Sequence, residues 1–170
     1  MDFRKLQVED AEAYWKLRLQ ALYEYPRSFG ASYEEVKDTP IERIIERFSA
    51  GDSNFILGAF SEPEELIGMV GFRRETFLKM RHKGTVWGMY VDRVFQGRGI
   101  GKRLMQELLH RARKIPELEQ IQLYVVDTNE HAKRLYRSVG FTTYGLEIHA
   151  MKLDDSTYVN EEFMIYRWER

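Results

Sequence analysis

Val91-Asp92-Arg93-Val94-Phe95-Gln96-Gly97-Arg98-Gly99-Ile100-Gly101-Lys102 is the stretch from which the rest of the chain is read. Before it, Thr85–Val91 is an apolar run of strand character. After it, Ile100, Leu104, Leu108 and Ala112 share one helical face and make an apolar stripe. A strand therefore feeds a glycine-rich turn that opens a helix. Glycines at 97, 99 and 101 remove side chains where a ligand would approach the backbone. The first amides of the helix have no intrahelical acceptor and lie at the positive end of its dipole. Arg98 and Lys102 add charge at the same mouth. The combination is a cradle for a diphosphate.

Two better-known phosphate loops do not fit these letters. A P-loop needs glycine five positions before Gly101 and Ser or Thr after Lys102, where the chain has Gln96 and Arg103. A dinucleotide fingerprint begun at Gly97 needs glycine at 102, and one begun at Gly99 needs Gly or Ala at 104. The chain has Lys102 and Leu104.

Working outward, Phe3–Leu6 reads as a short strand and Glu9–Glu24 as a helix, followed by a loop over Pro26–Ser32. Pro40 fits the first turn of a helix reaching about Phe48. Asn54–Phe60 and Leu66–Thr76 are strands separated by the turn Ser61-Glu62-Pro63-Glu64. Gly88, inside the strand Thr85–Val91, marks a bulge or a close backbone approach. The helix Gly99–Lys114 ends in a basic turn before Pro116. Gln120–Val126 is a strand. The next helix, from Asn129 to Val139, takes Asp127 as cap with Glu130 three positions on, and Gly140 closes it. Two strands, Phe141–Lys152 and Tyr158–Trp168, finish the chain. The expected order is β-α-α-β-β-β-α-β-α-β-β, a mixed sheet covered by helices, α+β rather than doubly wound.

A second constellation lies in Asp127-Thr128-Asn129-Glu130-His131-Ala132-Lys133-Arg134-Leu135-Tyr136. At about 100° per residue, Asn129 and Tyr136 share nearly one helix face, about 10 Å apart along the axis. A long thin ligand can touch both. Read alone, the pair also fits a capping asparagine and a core aromatic.

Gln96-Gly97-Arg98-Gly99-Ile100-Gly101 resembles the Q/R-x-x-G-x-G/A signature of the GNAT superfamily of N-acetyltransferases. Asn129, Ala132, Leu135, Tyr136, Gly140 and Phe141 resemble its N-x-x-A-x-x-L-Y-x-x-x-G-F motif. The likeness covers most of the chain and is strongest from Thr85 to Phe141. It implies one N-acetyltransferase domain over residues 1–170, with a central, mostly antiparallel twisted sheet of about seven strands flanked by about four helices. It implies acetyl-CoA as co-substrate, with the diphosphate on the backbone of Gln96, Gly97, Arg98, Gly99, Ile100, Gly101 and Lys102. Met89, Tyr90 and Val91 would pair with the pantetheine arm as an added strand. Asn129 and Ala132 would contact that arm, and Tyr136 would lie near the sulfur as general acid. The acetyl group would pass to a primary amine by direct attack in a ternary complex.

Composition is consistent with this reading. The chain has 170 residues, 44% hydrophobic, and no cysteine, which removes disulfides, Cys-type zinc sites and a cysteine nucleophile. No metal is expected. Formal net charge is −1, from 26 basic and 27 acidic residues. That gives no global attraction to nucleic acid or anionic membrane. A local surplus (Arg93, Arg98, Lys102, Arg103, Arg111, Arg113, Lys114) reads as a solvated helix face unless the loop recruits part of it. No apolar leader or membrane span is evident, so a cytoplasmic protein is expected. A homodimer remains open.

The fourth strand offers no carboxylate as general base. Asp92, Asp127, Glu147 and His149 are the substitutes, alongside a water chain. Tyr25, Phe29, Tyr33, Trp87 and Tyr124 suit either core packing or a cationic amine. A non-catalytic acyl-CoA sensor on the same fold is the alternative function.

Overall fold

The computed structural model describes residues 1–49, 51 and 53–168. One seven-stranded sheet forms its centre, in the order β1-β2-β3-β4-β5-β7-β6. The strands are β1 (Asp2–Lys5), β2 (Asn54–Phe60), β3 (Leu66–Arg74), β4 (Lys83–Val91), β5 (Gln120–Val126), β6 (Thr142–Lys152) and β7 (Tyr158–Arg167). All neighbours are antiparallel except β4 and β5. The helices are α1 (Ala11–Glu24), α2 (Tyr33–Val36), α3 (Ile41–Ile45), α4 (Ile100–Ala112) and α5 (Glu130–Ser138).

The α+β class and the seven strands agree with the sequence reading, and differences are local. A 3₁₀ turn over Val8–Asp10 precedes α1. The expected helix to Phe48 divides into α3 and a 3₁₀ turn over Glu46–Ser49, and Pro40 is the residue before the first turn. The short helix α2 was not expected. Its cause is a capping box: Ser32 Oγ accepts from the Glu35 amide at 3.3 Å, while Glu35 Oε2 accepts from the Ser32 amide at 2.9 Å. Asp127 does not cap α5. Asn129 does, its side-chain oxygen accepting from the Ala132 amide at 3.1 Å. Asp127 instead accepts from Asn160 on β7 at 2.9 Å. An amide side chain at the N-cap position reaches the third helical amide, which a residue two positions earlier cannot.

Both faces of the sheet are covered. On one, α4 buries Ile100, Leu104, Leu108 and Ala112 against β2, β3, β4 and β5. Leu104 and Leu108 are fully buried, each contributing about 1.5–3 kcal/mol by removal from water. On the other, α1 and α3 bury Tyr14, Leu17, Ala21 and Ile44 against Ile56, Met69 and Tyr90.

Two irregularities at the sheet centre position the site. Between Met69 and Gly71 the β3–β4 register shifts, Met69 opposing Tyr90 and Gly71 opposing Trp87. The extra residue falls at Gly88, whose φ is +64, so β4 carries a bulge there. The bulge resets the side-chain alternation. Val86 and Trp87 point to opposite faces, and Met89 then joins the α4 side with Val91 while Tyr90 joins the α1 side. Second, β4 and β5 pair only at Lys83–Gln120, Gly84–Ile121 and Thr85–Gln122. Beyond Thr85 the strands part, and the edge of β4 that faces β5 has no strand partner among the described residues.

Candidate active site

The parting of β4 and β5 opens a cleft of about 590 Å³. Its walls are Val86–Val91 of β4 and Leu123–Val126 of β5; the loop before α4 closes one end and α5 the other. Of the residues predicted from sequence, Met89, Tyr90, Val91, Gln96, Gly97, Gly99, Ile100, Gly101, Lys102, Asn129, Ala132 and Tyr136 all line this one cleft. Arg98 is the exception. Its side chain turns back over the Phe95 ring, 5.2 Å from the centroid, and donates to the Val94 carbonyl at 3.3 Å.

The loop is built to leave donors unused. Asp92 Oδ1 accepts from the Val94 amide at 2.9 Å and starts the turn. Gln96 Nε2 donates to the Val91 carbonyl at 2.9 Å and to Tyr25 Oη at 3.2 Å, tying the loop to the end of β4. Gly97 and Gly99 both have φ +77, a left-handed conformation that residues with a Cβ resist. Nothing lies within 4 Å of where a Cβ would project from either. The Arg103 amide is the first to bond into the helix, donating to the Gly99 carbonyl at 3.1 Å. Among the described residues, no backbone carbonyl accepts from the amides of Gly97 to Lys102. A run of free amides at the positive end of a thirteen-residue helix fits an anion of diphosphate type. Of the other cations in the local surplus, Arg103 lies 4.5 Å over the Phe3 ring and Arg111 pairs with Glu107. Lys102 alone among them lines the cleft, as described.

Tyr136 lies at the other end, 8% exposed, with its ring 6.2 Å from that of Phe141. Burial pushes its phenol up to about 12. It is therefore protonated throughout the neutral range and can donate. No protein group among the described residues hydrogen-bonds its hydroxyl. The helix carrying it is anchored by Lys133, 5% exposed. The Lys133 ammonium reaches the Asp127 carbonyl at 2.5 Å, Glu130 at 2.6 Å and Glu162 at 2.8 Å. Glu130, then Glu162, raise the Lys133 pKa, and Lys133 lowers that of Glu162.

None of the four base candidates lines the cleft. Asp92 is occupied as a cap and accepts from Gln20 Nε2 at 2.9 Å. Asp127 holds Asn160. His149 stacks on Tyr158, 4.4 Å between centroids. Glu147 lies opposite Glu161 at the β6–β7 register. Glu161, which the sequence reading passed over, is the cross-strand partner of cleft residue Val126. Burial first, then the Glu147 charge, raises its pKa above the ordinary carboxylate range. Of the five aromatics, Tyr25, Phe29, Trp87 and Tyr124 line the cleft, whereas Tyr33 packs on Tyr23 at 5.5 Å. Tyr90 donates to Glu24 at 2.7 Å, and burial with that bond holds its phenol neutral.

The other residue missed is Arg18. It occupies the same face of α1 as the buried Tyr14 and Leu22, four positions from each. A cation on an apolar stripe was the available signal.

Comparison with known proteins places this geometry. The sequence model of the Acetyltransferase (GNAT) family matches residues 17–141. The spermine/spermidine N(1)-acetyltransferase of Bacillus subtilis (strain 168) is 33% identical over 64 residues, 36% of this chain and 42% of that protein. The mycothiol acetyltransferase of Segniliparus rotundus is 30% identical over 141 residues, 82% of this chain and 51% of that protein. The chain thus spans about half or less of these curated relatives. In fold, yncA of Salmonella typhimurium, solved with its cofactor acetyl-CoA, superposes with a TM-score of 0.86 at 18% identity, covering 100% of this chain and 95% of that one.

Proposed function

The chain belongs to the acetyltransferase (GNAT) family, and from that premise we propose that it transfers the acetyl group of acetyl-CoA to a primary amine. The observation that carries this is the run of free amides from Gly97 to Lys102 opening into the same cleft as the buried phenol of Tyr136. Bound acetyl-CoA supplies an activated acyl group and a thiolate leaving group. The amides at the mouth of α4 hold the diphosphate. The unpartnered edge of β4 from Val86 to Val91 holds the extended arm by strand-like pairing. The bulge at Gly88 turns backbone donors toward negative charge developing on the acyl oxygen. Tyr136 gives a proton to the departing sulfur, which its raised pKa keeps available.

The amine attacks in its neutral form. An ordinary alkylamine has pKa about 10.4, so its proton must leave first. Glu161, beside Val126, or water beyond it receives that proton. The relatives' names place transfer on nitrogen in spermine and spermidine, in line with an amine acceptor here. No cysteine is present, and transfer is direct, within one ternary complex of a single 1–170 domain.

Calorimetry of CoA against folded protein, followed by thiol release with a panel of amines, tests this. Heat of CoA association and amine-dependent release are expected. Absence of CoA heat, or capture of an acetyl-enzyme competent to acetylate amine, refutes it.

A further inference from the structure

Arg18 is a half-buried cation with no carboxylate counter-ion among the described residues. Its Nη1 is shielded from solvent and has no hydrogen-bond partner. Among the described residues, no carboxylate pairs with it. Burial accordingly lowers its pKa, and only the Tyr14 phenol pulls the other way. Leaving a guanidinium unpaired away from water is costly, so folds do so sparingly.

Its neighbours on the helix are likewise unpartnered. Tyr14 Oη and Trp15 Nε1 on the same helix are also buried without a partner of good geometry. Arg47 approaches the Trp15 ring at 5.4 Å and adds a second positive charge near Tyr14. The location matters as much as the chemistry. Arg18 lies 4.6 Å over the ring of Phe29, a cleft residue. Its Nη1 is 3.5 Å from where a Cβ on Gly88 would sit, at the β4 bulge. The unused Nη1 donor therefore stands behind the β4 bulge that lines the cleft.

We propose that Arg18 is the anion anchor of the acceptor pocket and that the acceptor is an amine bearing a carboxylate. This rests on the transferase reading above. One face of the guanidinium is taken by Phe29, and an incoming carboxylate would pair with the planar edge, a fork that takes two parallel hydrogen bonds. A polyamine would bring a second ammonium against Arg18 and Arg47 and is disfavoured. Phe29 thus holds the protein's own cation, leaving substrate selection to the guanidinium edge.

The test uses full-length protein with CoA present. N-acetyl derivatives of glycine, leucine, phenylalanine and glutamate are each compared with their C-terminal amides by thermal shift. The free amino acids are compared with the matching amides, and with spermidine, by thiol release. In wild type, at least one carboxylate should exceed its amide by about 10-fold or more in apparent affinity and in kcat/KM. Arg18→Met should bring that ratio near one, and Arg18→Lys should restore it in part. Arg18→Met should also melt higher than wild type in the absence of ligand, since it removes a cationic donor buried without a partner. Preference for every amide or for spermidine in wild type overturns the proposal, as does an unchanged ratio or a lowered melting temperature in Arg18→Met. CoA heat, measured on the same samples, reports separately on the cofactor reading.

Discussion

Gly99→Ala separates folding from cofactor binding. Gly99 has φ +77 and ψ 3, and an added Cβ meets no atom within 4 Å. The only folded-state cost is left-handed strain, about 1–2 kcal/mol for an L-residue. In a domain of this size that lowers Tm by about 2–8 °C. The same methyl takes up open space at a loop whose amides have no backbone acceptor among the described residues, where a bound diphosphate would have to fit. Losing one charge-assisted hydrogen bond there costs about 1.5–3 kcal/mol, roughly 10- to 150-fold in Kd. Gly101→Ala is the control. Its Cβ meets Leu135 Cδ1 at 2.7 Å and Met89 Cε at 3.0 Å. Overpacking of about 1–3 kcal/mol is partly offset by about 0.5–1 kcal/mol of helix propensity. Its penalty should fall mainly on Tm, with a smaller effect on Kd than Gly99→Ala. Calorimetry with CoA and thermal melts without it measure both. Gly99→Ala binding CoA within twofold of wild type would refute the amide cradle.

Tyr136→Phe should lower kcat about 100-fold or more while CoA affinity stays within about twofold; an unaltered kcat removes Tyr136 from the acid role. Because its phenol is pushed up to about 12, the donor form persists, and kcat/KM should rise with pH toward 10 as the amine deprotonates; a descending limb centred near pH 8 would contradict this. Lys133→Met should cost about 2–3 kcal/mol by removing the nearer cation of Glu162, which keeps Thr143 and the more distant Arg137, seen as a Tm loss of about 4–12 °C. Glu162 is depressed in the folded state, so its contribution is present above the ordinary glutamate pKa and fades as pH falls through the lowered one. The Tm gap between the two proteins should therefore narrow in acid and persist at neutral pH, as chemical or thermal melts across pH will show.

The strands were legible because their signals are local. Asn54–Phe60 is an apolar run between turn residues, Gln120–Val126 alternates polar and apolar before ending in Tyr124-Val125-Val126, and the limits of both agree with the structure. The glycine loop was legible because φ +77 at 97 and 99 needs a particular residue type. The α5 cap was misplaced because Asp127 and Asn129 are both good cap residues, and β7's Asn160 decides between them only in three dimensions. Arg18 was missed for a related reason. Its spacing from Tyr14 and Leu22 marks it as inward-facing, but the lack of a counter-ion is a property of what α3, Phe29 and β4 bring near it. Glu161 likewise owes its raised pKa first to burial in the folded sheet and then to Glu147, fourteen positions away in sequence and opposite in register.

The short pairing of β4 with β5 bears on cooperativity. Three backbone rungs and the apolar stripe of α4 are what join β1–β4 to β5–β7 at the sheet centre. A ligand lying between the two half-sheets welds them, so its binding energy appears as resistance to unfolding, growing with ligand concentration by mass action. Amide protons along Val86–Val91 should then exchange with solvent far more slowly once CoA is added, while those of β2 and β3, already zipped on both sides, change little.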